Sequence, residues 1–456
     1  MTSGGAYGER LINSHVAGDL HVYGLEEDGG CWASWDCAAI VGKEGEANNS
    51  RVMERLVHFI AKAKSEWSCF QRLSGFESLV NATTDFNFAA FSNGLLEKKA
   101  GRILLGFEEQ KREDRDTVLG PIFGSIMSPE AQTGYLMPVV VYTDAYKWKM
   151  NGDLPLYDSV NALCSPIFMH RREATTRKAV DPWLDGASPG VNTGVLGMVT
   201  LNLPRVAFTS ADEAEFFDRV WDMTGLAVEG LEAKRSDLDK ELKSSRMPAT
   251  SSIISTFDDF FGAVGVVGLN EALLNVVERG ISSMQGKVIA YKILEAIKDR
   301  LEEKDKETGH RFCLVAEPGD GAAYRLAELD RVKYPEIKAS GAETPFYTSS
   351  TCLPGGYTDD LWDALEHQKK LQAIYNGGTI FNIGTEKPIS DAKGCKTLVK
   401  KIVEKTTLPC FSFSPSVGKA EKHERMGYWY KPVSGMVAGE IEEVRLRKPF
   451  VVVSGW

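Results

Sequence analysis

A glycine close to the carboxyl end of the chain, Gly427, lies in a setting that could support radical chemistry. It sits in the segment HERMGYWYKPV, residues 423–433, after an arginine and before a run of aromatic side chains. A radical on a glycine α-carbon can flatten and delocalise into both neighbouring amides, because glycine has no side chain to oppose the flattening. The alternative interpretation is a turn glycine between two short strands, and a motif this short does not decide between the two.

The eight cysteines are the other residues with redox chemistry, and they are scattered along the chain. No two of them form a CxxC pair, which argues against a disulfide framework and against a structural zinc site. We therefore predict no metal. Most of the cysteines are expected to be small buried hydrophobes, and one or two could be redox-active.

Composition points to a globular enzyme. The 456 residues are 43% hydrophobic and 25% charged, with a formal net charge of −10. No long Lys/Arg run indicates a nucleic-acid surface. The sequence contains no run of 18 or more apolar residues, so no membrane span is predicted, and the first residues lack the apolar core of a signal peptide. The prediction is a cytoplasmic protein.

Hydrophobic periodicity predicts the elements that must position this chemistry. Helices are predicted over 51–71, 211–245, 287–304, 359–374 and 389–404. Strands are predicted within 11–25 and over 138–142, 197–205, 262–268, 311–316 and 378–383. Residues 72–135 are predicted to be a mixed region with several loops, and 163–192 to hold Cys164 and a long basic loop.

Strand and helix alternate from about residue 196, which is typical of a parallel α/β sheet or barrel. Ligands of such sheets bind at the carboxyl ends of the strands, so the predicted pocket loops are 317–321, 347–356 and 384–388. No GxGxxG follows a strand and no GxxxxGK[ST] occurs, so neither a Rossmann site nor a P-loop is indicated.

Seven segments, in the right order, resemble the anaerobic (class III) ribonucleotide reductases, a branch of the glycyl radical enzymes. They are NSHVAGDLH (13–21), TGVLGMVTLNLPR (193–205), FGAVGVVGLNEAL (261–273), AEPGDGAAY (316–324), PFYTSSTCLPGGYTDD (345–360), YNGGTIFNIGTEKP (375–388) and RMGY (425–428) with its downstream tail. Each segment alone is a weak signal, and the ordered set is specific.

The resemblance implies an α/β fold: a ten-stranded barrel with an inner finger loop and a C-terminal radical loop. Residues 1–408 would form the catalytic barrel, with no N-terminal regulatory cone domain before it. Residues 409–456 would form the glycyl radical segment, in which the family's four-cysteine zinc knob is missing. The expected role of the chain is therefore anaerobic deoxyribonucleotide biosynthesis for DNA replication, as an oxidoreductase acting on ribonucleotides.

The resemblance also implies roles for single residues. Gly427 would carry a radical installed by a radical-SAM activating enzyme, and a finger-loop cysteine would become the thiyl radical that abstracts the ribose 3′-hydrogen. Cys164 is the only cysteine in the right interval. One alignment places it on the finger, beside the radical position that Ser165 then occupies, and another places it in the preceding strand. Cys31 matches the family's second redox cysteine, with a buried structural cysteine as the alternative.

The substrate is expected to meet two loops and one histidine. The predicted substrate-binding residues are His21, Ser349, Ser350, Thr351, Cys352, Gly377 and Gly378. Oriented backbone amides bind anions, so the 347–356 loop and the Gly377–Gly378 turn are candidates for phosphate binding. The two glycines could equally form a structural turn, His21 could be a hydrogen-bonded structural histidine, and Cys352 could be a redox partner or have no role.

Two other functions stay open. The chain could be a catalytically silent homologue that binds nucleotide, since one of the two alignments leaves the finger without a cysteine and the family's N-S-T is Ser349-Ser350-Thr351 here. It could also be a glycyl radical enzyme with another substrate, although the NLPR and LPGGYTDD segments are reductase features. The expected partners are a ribonucleotide, the activating enzyme and a second copy of the chain in a homodimer, with no membrane and no nucleic acid.

Overall fold

The chain has an α/β architecture in which helices cover a large mixed β-sheet. The computed structural model describes residues 7–25, 27–42, 49–75, 88–98, 103–107, 140–142, 156–157, 160, 166–169, 192–316, 320–341, 344–354, 357–358, 360–385, 389, 391–415 and 451–455. Among these residues, no helix is both long and apolar enough to cross a lipid bilayer.

The strands in chain order are β1 (Leu20–Val22), β2 (Gly30–Asp36), β3 (Trp67–Ser74), β4 (Ile103–Phe107), β5 (Val140–Tyr142), β6 (Ile167–Met169), β7 (Thr193–Asn202), β8 (Phe260–Val267), β9 (Arg311–Val315), β10 (Thr379–Thr385), β11 (Cys410–Pro415) and β12 (Val451–Gly455).

The helices are α1 (Glu9–Ala17), α2 (Cys37–Val41), α3 (Asn49–Ala63), α4 (Phe88–Glu97), α5 (Leu203–Phe208), α6 (Glu213–Lys243), α7 (Pro248–Ser251), α8 (Leu269–Val276), α9 (Met284–Thr308), α10 (Asp320–Lys333), α11 (Leu361–Gln372) and α12 (Ala392–Lys405).

The sheet has the order β12-β10-β11-β6-β5-β4-β3-β2-β7-β8-β9, with β1 beside β7, and contains three groups of parallel strands. β2 to β6 pair in parallel, and so do β7, β8 and β9 as well as β10 and β11. The groups meet in the antiparallel pairs β2–β7 and β6–β11. A parallel bridge from Val315 to Gly377 links the end of β9 to the residues just before β10.

Alternate residues of the strands face two different environments, as the period of two of a β-strand requires. On β7, β8 and β9, Val199, Val264 and Leu314 pack with the apolar faces of α6 and α9. The residues between them face the other way, where Met198, Ala263, Cys313 and their neighbours pack with β2 and β3. This second face, the strand-lined face, carries side chains that the long helices do not cover.

Most of the predicted elements are confirmed with shifted ends. The helices predicted over 211–245, 287–304, 359–374 and 389–404 are α6, α9, α11 and α12. The strands predicted over 262–268, 311–316 and 378–383 are β8 to β10. Asp212 begins α6 by accepting a hydrogen bond from the Glu215 amide at 2.9 Å, and Ser283 begins α9 through the Gly286 amide at 3.0 Å.

Three of the predicted elements are wrong in part. Within 11–25 only β1 is strand, because residues before it form α1, which Gly18 ends in the left-handed conformation at φ 84°. The helix predicted over 51–71 ends at Ala63, and the following residues form β3 between β2 and β4. The strand predicted over 197–205 ends at Asn202, whose side chain accepts from the Arg205 amide at 3.3 Å and caps α5.

Proline explains why β7 ends at Asn202 and a helix follows it. Pro204 lies in the first turn of α5, where the missing N–H costs nothing because the first amides of a helix have no partner within it. The structure also contains α10 and β12, which the sequence patterns did not predict. β11 and β12 both lie in the segment predicted as 409–456, and both pair with β10.

Candidate active site

The predicted substrate loop lies against the carboxyl end of β8. Ser349 forms an antiparallel bridge with Val267, and the Gly268 amide donates to the carbonyl of Thr348 at 2.7 Å. Gly268 takes φ 69°, and a Cβ there would lie 2.3 Å from Pro204 Cγ, so only glycine fits this approach. The loop is therefore positioned at a strand end, as predicted for a ligand site in a parallel sheet.

A buried carboxylate holds this loop in place. Glu271, in the first turn of α8, accepts from the amide and the hydroxyl of Thr348 at 3.1 and 2.7 Å. Its other oxygen accepts from Ser340 Oγ at 2.7 Å. Glu271 is 1% exposed, and a charge buried to that degree needs such partners. No role was predicted for Glu271 from the sequence.

The three hydroxyl residues of the loop differ in exposure. Ser350 is buried in the left-handed region at φ 44°, and its hydroxyl donates to the Val266 carbonyl at 3.2 Å. Thr351 is buried too, and its carbonyl accepts from Gln368 Nε2 at 3.0 Å. Ser349 is half-buried, so its side chain is the most accessible of the three.

The Gly377–Gly378 turn fastens β10 to β9. The Ala316 amide donates to the Gly377 carbonyl at 2.9 Å. Gly378 takes φ 78°, and a Cβ on it would lie 2.6 Å from the Ala316 carbonyl oxygen. These contacts account for Gly378 as a structural residue, and phosphate binding by the two glycines stays a prediction.

His21 belongs to a cluster of two histidines, a tyrosine and an arginine. Its ring lies 5.0 Å from the His15 ring and 4.5 Å from the Tyr23 ring, centroid to centroid. Arg325 Nη1 of α10 lies 3.5 Å from His21 Nδ1, and the same guanidinium donates to the His15 carbonyl.

Burial, more than charge, sets the protonation of this cluster. It lowers the pKa of His21 to about 3, with His15 and Arg325 adding to the effect. It lowers the pKa of His15 to about 4, again with a contribution from Arg325. The imidazole of His15 accepts from the Val22 amide at 3.0 Å, which requires a neutral Nδ1. Arg325 is therefore the cation of the cluster, and the histidines are neutral at neutral pH.

Cys31 has a neighbouring thiol that the sequence patterns did not reveal. Its Sγ lies 3.2 Å from Cys69 Sγ of β3, and Trp32 and Phe70, the next residues along the two strands, stack at 5.1 Å. Both thiols pack on the strand-lined face, together with Cys313. Trp67, Phe70 and Leu73 recur every three residues, which is closer to helical than to strand spacing, so no local pattern indicated β3.

The structure separates Cys352 from these thiols. Cys352 is 7% exposed and packs with Leu353 in the apolar core that contains α3, α11 and α12. The structure thus brings Cys31, Cys69 and Cys313 together, and it places the loop cysteine in a different cluster. Gly427 and Cys164 lie outside the described residues, as do 317–319, 355–356 and 386–388 of the predicted pocket loops.

Comparison with known proteins adds a family match. The family described as "Anaerobic ribonucleoside-triphosphate reductase" matches residues 132–431, which is more than half of the 456-residue chain. The anaerobic ribonucleoside-triphosphate reductase of Enterobacteria phage T4 is 28% identical over 244 residues, which are 49% of this chain and 38% of that protein. The Haemophilus influenzae protein of the same name is 22% identical over 201 residues, 41% of this chain and 28% of that protein.

Solved structures show the same fold. The anaerobic ribonucleotide reductase from Thermotoga maritima with MES in the active site has a TM-score of 0.69 at 15% identity. The alignment covers 89% of this chain and 78% of that one. The structure of the same enzyme with dATP bound in the specificity site gives a TM-score of 0.68 at 14% identity. The matches to the two curated relatives span less than two fifths of the length of those proteins.

Proposed function

Because the chain belongs to the anaerobic ribonucleoside-triphosphate reductase family, we propose that it reduces ribonucleotides to deoxyribonucleotides by glycyl and thiyl radical chemistry. The observation that carries this proposal is the loop of residues 347–352, which a buried carboxylate holds at the carboxyl end of β8. Loops at that edge of a parallel sheet are where such folds bind their ligands.

The finer fold that we propose is a ten-stranded barrel. Leaving β1 and β12 aside, ten of the twelve strands form two parallel groups of five, β2 to β6 and β7 to β11, if the Val315–Gly377 bridge counts as the contact between β9 and β10. The groups meet at β2–β7 and at β6–β11, so the path returns to its start. Arg72 of β3 also acts electrostatically on Cys410 of β11, although these strands are not neighbours in the sheet.

In a barrel the strand-lined face becomes the interior, where radical intermediates are kept from water. A finger loop inside that barrel would present Cys164 to the substrate. The radical on Gly427 would supply the hydrogen-atom abstraction through this thiol. Cys31 lies on the interior face in this arrangement, as a redox cysteine of the reaction requires.

The described residues also suggest how the nucleotide is held. Ser349 offers the accessible hydroxyl of the loop, while Ser350 and Thr351 shape its backbone. Arg325 adds a half-buried positive charge beside His21, which suits an anionic group of the substrate. Cys352 and the Gly377–Gly378 turn would line this site from the loop and from the start of β10.

The partners that we propose follow from the radical. A radical-SAM activating enzyme would install it on Gly427, since oxidation of a glycine α-carbon needs an external one-electron oxidant. We further propose that the protein is a cytoplasmic homodimer. Residues 409–456 would form the radical segment, with β11 and β12 as its sheet-bound parts.

An anaerobic EPR spectrum tests this function directly. The protein is incubated with a radical-SAM activating enzyme, S-adenosylmethionine and a reductant, and then with each ribonucleoside di- or triphosphate. We expect a doublet in the wild type that is missing in Gly427→Ala, together with deoxynucleotide formation. Full deoxynucleotide yield from Gly427→Ala would overturn the radical assignment.

The finger cysteine is tested in the same experiment. We expect Cys164→Ser to keep the glycyl doublet and to form no product, because the radical would have no route to the ribose. Turnover in this variant would place the hydrogen-abstracting thiol elsewhere. A wild-type protein that holds the radical but reduces no ribonucleotide would exclude reductase function and favour another substrate. A wild type that binds nucleotide but forms no radical would favour a silent homologue.

A further inference from the structure

Cys31 and Cys69 are close enough to form a disulfide with little movement. They lie on adjacent parallel strands, where the register between β2 and β3 shifts between Gly30 and Trp32. Their sulfur atoms are 3.2 Å apart, and a disulfide bond is about 2.05 Å long, so an approach of roughly 1.2 Å completes the bond. Their separation of 38 residues in the chain means that only the folded sheet creates this pair.

The two thiols differ in solvent exposure, which suits a pair that is oxidised by the reaction within the protein and reduced by a dithiol from solution. Cys31 is 6% exposed, whereas Cys69 is half-buried. Thiol–disulfide exchange begins with the attack of an incoming thiolate on the sulfur it can reach. An external dithiol would therefore attack Cys69 and release Cys31.

A buried cation lies near the pair. Lys234 is 1% exposed, and its ammonium donates to the carbonyls of Glu27 and Asp28 at 2.8 and 3.1 Å. Its charge interacts with Cys31, which is one of the groups that offset the lowering of the Lys234 pKa by burial. The buried ammonium therefore lies within electrostatic range of the proposed pair.

The pair is also next to the substrate loop. Tyr23 packs against the cluster that holds Cys31 and Cys69. The same tyrosine packs against a second cluster, formed by Val267, Tyr347 and residues of α10. Tyr347 begins the predicted substrate loop, and Val267 is the strand end on which the loop lies. One side chain thus connects the two thiols to the proposed site.

We propose that Cys31 and Cys69 are the dithiol that supplies the two electrons for ribonucleotide reduction in this chain. This inference rests on the proposed function and names its reductant. In the balanced reaction the C2′–O bond breaks and the hydroxyl leaves as water. C2′ gains a hydrogen, both thiols lose theirs, and the Cys31–Cys69 bond forms. An external dithiol then reduces this disulfide and becomes a disulfide itself.

Thiol counting on the full chain tests the pair without any need for activity. The reduced protein is treated with an excess of oxidised dithiothreitol, quenched in acid, alkylated and weighed. The wild type has eight cysteines, and we expect six of them to be alkylated after oxidation. Digestion should then yield the peptide of Cys31 linked to the peptide of Cys69. Eight alkylated thiols, or a linkage between other cysteines, would overturn the proposal.

Three variants provide the matched comparison. Cys31→Ala and Cys69→Ala each keep seven cysteines, and we expect all seven to be alkylated after the same treatment. Cys313→Ala removes the third thiol of the same cluster, and there we expect seven thiols to fall to five with the 31–69 linkage intact. Loss of the linkage in Cys313→Ala would show that Cys313 is a member of the pair.

A single-turnover assay distinguishes a failure of this inference from a failure of the proposed function. Pre-reduced, radical-bearing wild type without added reductant should form up to one deoxynucleotide per chain and lose two thiols, and Cys69→Ala should form none. Equal turnover by Cys69→Ala and wild type with dithiothreitol as the only reductant would overturn the dithiol inference and leave the reductase function standing. If the wild type forms no deoxynucleotide with either dithiothreitol or formate, the proposed reductase function is overturned. The electron transfer from the dithiol to ribose is then overturned with it, even if the Cys31–Cys69 disulfide forms.

Discussion

Replacing Glu271 should free the substrate loop from the sheet edge. In Glu271→Ala the buried amide and hydroxyl of Thr348 lose the acceptor that both share, while the half-buried Ser340 can turn to water. A buried donor left without a partner costs about 1–3 kcal/mol. Two such donors at about 1.5 kcal/mol each lower the free energy of opening the loop by about 3 kcal/mol.

Native-state amide hydrogen exchange measures this local opening without the need for reversible unfolding of the whole chain. A change of about 3 kcal/mol corresponds to a roughly 150-fold loss of protection in peptides covering residues 344–353, at 1.36 kcal/mol for each factor of ten. The measurement compares Glu271→Ala with the wild type under conditions in which exchange is limited by the opening equilibrium. Peptides from α6 should keep their protection, since Glu271 makes no hydrogen bond to that helix among the described contacts.

Glu271→Gln is the matched control. Its amide oxygen can take the position of the oxygen that accepts from Thr348, and its NH₂ group can donate to Ser340 Oγ. We expect a loss of about 1 kcal/mol, or roughly fivefold in protection, because the hydrogen bonds are no longer charge-assisted. Equal protection in Glu271→Ala and Glu271→Gln would refute the view that hydrogen bonding by this carboxylate holds the loop.

Three further predictions test other parts of the site. Gly378→Ala should destabilise the β9–β10 junction by at least about 1 kcal/mol, because of its φ of 78° and its contact with Ala316, and a urea midpoint unchanged from wild type would contradict this. Asp330→Asn should lower the free energy of unfolding by about 3 kcal/mol, because it removes the counter-charge of the buried Arg205 guanidinium. A shift of the urea midpoint no larger than that of the exposed control Asp237→Asn would contradict this. His21 should make stability fall as pH falls, since its pKa is about 3 when folded and 6.5 when unfolded, so that only the unfolded chain gains the proton. Its share of the loss is about 2 kcal/mol between pH 6.5 and 5. In urea titrations at each pH, His21→Gln should remove this share and leave the slope that His15 contributes, whereas an unchanged slope would contradict the prediction.

Local patterns were sufficient for the elements with strong periodicity. The long helices α6 and α9 have apolar positions at helical spacing and an N-cap residue, so both their type and their approximate ends follow from neighbours in the chain. The strand β8 is a run of small and branched apolar residues that is buried along its whole length. Such a run is typical of a parallel strand covered on both faces.

Elements whose type depends on distant partners could not be predicted in this way. Trp67 stands four residues after Ala63, which continues the helical spacing of α3, yet it begins β3. What decides the matter is the pairing of β3 with β2 and β4, and those pairings join residues more than thirty positions apart. Asn202 and Pro204 are a similar case, because capping by a side chain, and not apolar content, ends β7 and begins α5.

The candidate site shows the same division between local and long-range information. The loop sequence and the family resemblance led to Ser349, Ser350 and Thr351, because the motif is continuous in the chain. Cys69 and Arg325 reach the site from β3 and α10, and no spacing rule connects them to Cys31 or His21. Residues that a fold brings together from separate elements become visible only once the sheet order is known.

The sheet order also provides a frame in which the proposed thiol pair and the predicted substrate loop would act on one substrate. β7 is the strand that connects them: its first half pairs with β2, which carries Cys31, and its second half pairs with β1, which carries His21. β8, on its other side, ends at the loop. Thiols, histidine and loop are therefore fixed to one central strand, whose residues are all buried. A reaction that needs hydrogen abstraction, loss of a hydroxyl and a two-electron reductant within one nucleotide requires such a rigid arrangement, because small misplacements cost large factors in rate.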